Sequence, residues 1–140
     1  MPRASLERSV RFCWVPVKLQ PDSGIRLPVQ VNYKTRAGWP HQISTELKRA
    51  ISHYVNNADG FRIGITNWPE RRAQQYEATG WVYDEMIVLY ETRSHRNAVR
   101  LEKELIRHNW HRDTLEVDRD GGGGRRGEGW YFLYIVRRRT

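Results

Sequence analysis

The chain has 140 residues, the size of one ordinary domain with one core. Its single cysteine, Cys13, excludes an internal disulfide and a thiolate zinc centre, and fits a reducing cytosol or nucleoid. The net charge of +8 lies at the two ends: residues 43–117 hold 11 Lys and Arg against 11 Asp and Glu, whereas residues 1–42 hold 7 against 2 and residues 118–140 hold 6 against 3.

A balanced centre between basic, aromatic-containing ends suits a polyanion partner, because Lys and Arg displace counterions from phosphates and aromatic faces stack on bases. No apolar run approaches the roughly 20 residues of a membrane helix, so no membrane span is expected. The opening MPRASLERSVRF lacks a signal-peptide apolar region, and its Arg and Ser content leaves a transit peptide open.

Residues 10–19 (VRFCWVPVKL) and 25–33 (IRLPVQVNY) are rich in β-branched and aromatic residues around the turn sequence Gln-Pro-Asp-Ser-Gly, which predicts a hairpin. Pro16 and Pro28 confine these strands to edges, so residues 1–42 read as a basic β-hairpin extension on a domain covering 43–140. Arg11, Trp14, Lys18, Arg26 and Lys34 of this extension are candidates to line nucleic acid.

From Ile43 the period becomes helical through Leu47, Ala50, Ile51, Tyr54 and Val55, with Ser44 or Thr45 as cap and Asn56-Asn57 at the exit. Asp59-Gly60 turns into a strand, Phe61 to Thr66, which sends Phe61, Ile63 and Ile65 to one face and Arg62, Gly64 and Thr66 to the other. Pro69 opens a helix to about Thr79, with Gly80 as terminator. Glu85 to Thr92 is a strand, and Ser94 caps a helix through 96–109. The glycine-rich run 118–129 is irregular, and Trp130 to Val136 is the strongest strand signal. The expected class is α/β or α+β, a small antiparallel or mixed sheet flanked by helices.

Candidate chemistry begins with Glu102. On a helical wheel it falls about 40° from Ala98, inside the apolar arc of Leu101, Leu105 and Ile106. A carboxylate there calls for a cation, a metal or water, since an unpaired buried charge is costly. Glu104 points away, beside Arg100 and Arg107, as a surface ion-pair residue. Arg72 and Tyr76 lie one helical turn apart, close to the strand that presents Arg62 and Gly64. Arg grips two phosphate oxygens at once, Tyr donates to or accepts from a reacting oxygen, and Gly lets a backbone come close, so the set suits phosphate. Taken alone, Arg72 and Tyr76 read more readily as a surface arginine and a core-edge aromatic.

The run Arg62-Ile-Gly-Ile-Thr-Asn-x-Pro-Glu-Arg-Arg-x3-Tyr76 resembles the second strand and first helix of GIY-YIG nucleases, with Gly64, Arg72 and Tyr76 matching position for position. Ala98-x2-Leu-Glu-Lys-x-Leu-Ile106 resembles the later helix that supplies this family's metal-binding glutamate, here Glu102. Two departures stand out. The tyrosine of the second motif is replaced by Arg62, and the Gly-Ile-Tyr strand is missing ahead of it. The strand most like it lies at the C-terminal end, Gly129-Trp-Tyr-Phe-Leu-Tyr134, which predicts a circularly permuted arrangement pairing this strand with 61–66. Tyr131 then matches the family's first tyrosine, with Tyr54 as the alternative.

The resemblance implies a metal-dependent endonuclease acting on DNA, with RNA also open. Glu102 would hold Mg²⁺ (or Mn²⁺), Arg72 would stabilise transition-state charge, and Tyr131 or Tyr76 would help deprotonate the attacking water, with Arg62 favouring phenolate. Arg71, Arg125, Arg126 and the basic tail Arg137, Arg138 and Arg139 join the candidate phosphate contacts. A single site cuts one strand at a time, so double-strand cleavage would imply a dimer or sequential nicking. His108-Asn-Trp-His111 has too few companions for a metal site. The rival readings are a binding module on the same fold without catalysis and an RNA-associated basic structural protein.

Overall fold

Proline decides where two of the helices begin. The computed structural model describes residues 28–79, 82–116 and 129–139. In chain order these form β1 (Gln30–Arg36), α1 (Pro40–Val55), β2 (Ala58–Thr66), α2 (Pro69–Thr79), β3 (Glu85–Thr92), α3 (His95–His108) and β4 (Tyr131–Arg139). Pro40 and Pro69 occupy first helical positions, where a missing N–H costs nothing. The Trp39 carbonyl accepts from the Ile43 N–H, and the Gln42 side chain accepts from the Trp39 N–H at 3.4 Å. Helix α1 thus starts three residues before Ile43, and Ser44 and Thr45 lie inside it instead of capping it. Ser94 does cap α3, its hydroxyl accepting from the Asn97 N–H at 3.1 Å.

The fold is α+β: a four-stranded mixed sheet with three helices among the described residues. The strand order is β1-β3-β4-β2. β1 runs parallel to β3, and β4 runs antiparallel to both β3 and β2. The C-terminal strand therefore pairs beside residues 61–66, as expected from the sequence.

The N-terminal extension differs from the sequence reading where it can be described. Residues 10–19 lie outside the described residues, but residues 30–36 form a sheet strand paired with β3 from Gln30↔Glu85 onward. The division after residue 42 runs through the first turn of α1. Among the described residues β1 lies at the edge of the sheet, the position expected from Pro28.

Helices α1 and α3 cover one face. Ile43, Leu47, Ile51 and Val55 of α1 and Ala98, Leu101 and Leu105 of α3 pack on Phe61, Ile63, Ile65, Ile87, Leu89, Leu133 and Ile135. Leu47, Ile51, Leu101 and Leu105 are fully buried, each contributing about 1.5–3 kcal/mol of burial. Helix α2 covers the other face, where Ala73 and Tyr76 meet Met86, Val88, Tyr134 and Val136. Alternation along β2 and β4 sorts residues between the two faces, and this parity governs the site. No described helix is long and apolar enough to cross a membrane.

Candidate functional site

On the α2 face, Gly64 of β2 stands opposite Tyr134 of β4 in the antiparallel ladder. The Tyr134 phenol lies over the glycine so closely that a Cβ at position 64 would come within 2.5 Å of its oxygen. That hydroxyl receives a hydrogen bond from the Arg72 Nη1 at 3.1 Å and shares another with the Tyr76 hydroxyl at 2.7 Å. Arg72 also donates from Nε to Gln75 at 3.0 Å. One turn of α2 therefore brings Arg72 and Tyr76 to a single phenol on β4. Gly64 is needed because that phenol fills the space a side chain would take.

The Tyr134 phenol is firmly neutral. Burial raises the Tyr134 pKa well above its ordinary value; neighbouring Tyr76 adds to the rise, and Arg72 only partly opposes it. Burial works against the Arg72 charge too, but Tyr134 and Tyr76 outweigh it and the guanidinium pKa is raised. The site holds a fixed cation beside the protonated phenol of Tyr134. Arg62 is itself buried, with its guanidinium carbon 6.0 Å from the Tyr76 ring centroid.

Glu102 points inward as its position on the wheel requires, only 7% exposed. Burial pushes its carboxyl up to about 7, against the opposing pull of Lys103 and Arg72. Glu104 pairs with Lys48 of α1 at 3.0 Å, a surface ion pair with a partner other than the one expected.

Mg²⁺ binds through one or two carboxylates, several waters and substrate phosphate oxygens. A lone inward carboxylate fits that habit, whereas a zinc centre needs three or more protein ligands. Among the described residues no three His, Cys, Asp or Glu side chains gather into a metal-holding group, and His108 and His111 form none.

Tyr131 lies elsewhere. It is fully buried in the α1/α3 core, its ring 5.1 Å from that of His95. It stands three residues from Tyr134, an odd number, so the two phenols leave opposite faces of β4. Tyr54 packs under Arg137, 5.3 Å from ring centroid to guanidinium carbon. The phenol at Arg72 is that of Tyr134, which the sequence reading passed over.

The basic tail is also corrected. Arg137 and Arg138 continue β4 and meet carboxylates: Arg137 donates to Glu85 at 2.6 Å, and Arg138 donates to Glu116 at 3.1 Å from Nη1 and again from Nη2. Buried charges need partners, and Glu85 and Glu116 are both buried. Arg139 is half-exposed, 3.6 Å from Asp84. Arg71 is exposed and stacks over Trp68 at 5.7 Å, and Lys34 is exposed. Arg11, Lys18, Arg26, Arg125 and Arg126 lie outside the described residues.

Beside Tyr76 lies a second cluster absent from the sequence reading. Tyr83 packs edge-on against Tyr76 with centroids 5.3 Å apart and donates to Glu116 at 2.5 Å. Gly60 leaves room for the Arg138 to Glu116 contact, since a Cβ there would lie 2.6 Å from the Glu116 carboxylate. The available signal was the spacing of Gly60 and Gly64, four residues apart and so on one face of β2. Comparison with known proteins finds no matching family model, no matching curated protein and no matching solved structure.

Proposed function

We propose that the protein is a divalent-metal-dependent endonuclease that hydrolyses phosphodiester bonds in DNA. The observation that carries this reading is the placement of Arg72 by the Tyr134 and Tyr76 hydroxyls, in a fold whose helix α3 turns the Glu102 carboxyl inward. The antiparallel pairing of β2 with β4 supports the GIY-YIG likeness in permuted form, with Tyr134 in the role first given to Tyr131.

In phosphodiester hydrolysis, water adds to phosphorus and the bond to the leaving oxygen breaks, its proton passing in net terms to the leaving group. Most of the barrier is lowered by positioning and by charge stabilisation. Arg72 supplies a fixed positive charge for the phosphate oxygens. Tyr134 and Tyr76, both buried, act through Arg72 as positioning residues, holding the guanidinium in one orientation. Glu102 would hold the cation, which when bound supplies further charge to a phosphate oxygen and the leaving oxygen.

A second reading, a nucleic-acid-binding module without catalysis, is favoured by Arg62, which occupies the place of a family tyrosine. Supercoiled plasmid incubated with Mg²⁺, or with chelator, separates the two. Cleavage by wild type that disappears in Arg72→Ala and Glu102→Ala while binding persists is the expected result. Binding with no cleavage in any sample gives the module, and no affinity at low salt removes both.

A further inference from the structure

Strands β1, β2 and β3 run in one direction and each leads into a helix, so the N-termini of α1, α2 and α3 and the start of β4 gather at one end of the sheet. In open α/β sheets, ligands favour the carboxyl ends of strands. All four tryptophans among the described residues are exposed, and Trp39, Trp68 and Trp130 stand at this end, 61%, 57% and 45% exposed. Arg71 lies over Trp68, and Arg93 lies 5.5 Å from the Trp130 ring centroid. A pocket beside them is lined by Trp39, Arg93, Ser94, Arg96 and Asn97. Two carboxylates at this end are engaged, Glu46 by Arg36 and Glu70 by the Tyr33 hydroxyl.

Singly exposed aromatics are ordinary, but three indoles gathered at one end of a sheet beside arginines have the character of a binding surface. Indoles interleaved with arginines match the needs of an unpaired nucleic-acid strand, whose bases stack on aromatic faces while guanidinia hold its phosphates. A paired duplex hides its base faces, so it gains little from an indole. We propose that this rim binds a single-stranded segment of the nucleic-acid substrate, with Trp39 stacking on a base and Arg93 and Arg96 holding the adjoining phosphates. The inference deepens the nuclease reading and rests on it: the enzyme acts where a strand is unpaired.

Fluorescence anisotropy with a labelled oligothymidylate, a labelled oligouridylate and a labelled duplex, all in chelator to prevent cutting, tests this. Trp39→Ala should weaken single-strand binding about tenfold and duplex binding less than about twofold, with Trp39→Phe restoring most of the loss. The double variant Arg93→Ala/Arg96→Ala should lower the salt slope of single-strand binding by about 1.4. Tighter binding of oligouridylate through the same residues would mark RNA as the strand held. If wild type binds but Trp39→Ala is neutral, or weakens strand and duplex equally, the rim proposal is overturned while the nuclease reading stands. If wild type binds none of the three, both fall.

Discussion

Tyr134 lies across Gly64 in the β2–β4 ladder, so that position 64 can carry no side chain while the phenol stays bonded to Arg72 and Tyr76. Gly64→Ala should therefore destabilise the protein by about 1–3 kcal/mol, the usual cost of overpacking. In Gly64→Ala/Tyr134→Ala the clash is gone, so the double variant should cost less than the two single changes together. Urea denaturation of the four proteins measures that coupling.

The two tyrosines of β4 should separate cleanly. Tyr134→Phe removes the acceptor of the Arg72 hydrogen bond and should cost about 1 kcal/mol of stability, with a larger proportional loss of cleavage. Tyr131→Phe, on the other face, should leave cleavage unaffected once stability is matched. Equal kinetic losses would mean that the phenol at Arg72 has no special place.

Glu102 predicts a pH dependence of metal-free stability. Its pKa is raised in the folded state from 4.5 to about 7, so the folded protein holds its proton more tightly than the unfolded chain. Stability should accordingly fall as pH rises from 4.5 through 7, by up to about 3 kcal/mol. Glu102→Gln should flatten this slope. Added Mg²⁺ should restore stability at pH 8 in wild type and leave the variant unchanged. A wild-type profile that is flat between pH 5 and 8 would contradict the inward carboxyl.

Glu116 and Glu104 offer a contrast between buried and surface ion pairs. Glu116 is 2% exposed and held by Arg138 and Tyr83, so Glu116→Ala strands a guanidinium and should cost about 3–5 kcal/mol. Glu104→Ala, at a partly exposed pair with Lys48, should cost at most about 1 kcal/mol. Thermal melts of both variants check the difference.

Several features were legible because they are local. The wheel position of Glu102, the proline start of α2, the Ser94 cap and the bounds of β3 depend on neighbours within a few residues, and each stands as read. The alternation of β2 was equally plain, putting Arg62 and Gly64 on one face. The start of α1 was missed although its signal was present: Pro40 at a first helical position outweighs the serine and threonine that follow.

By itself, then, the sequence determined the sequence of elements, the faces of the helices and the inward carboxylate, since these follow from periodicity and sterics along the chain. Tertiary structure alone decided which tyrosine meets Arg72 and what became of Arg137 and Arg138. Those outcomes depend on register between strands β2 and β4, some seventy residues apart, and a change of one residue in that register moves every side chain to the other face. The energy that selects the register comes from both faces at once, apolar packing under α1 and α3 and the bonded phenols and ion pairs on the α2 side, and no stretch of chain contains that sum.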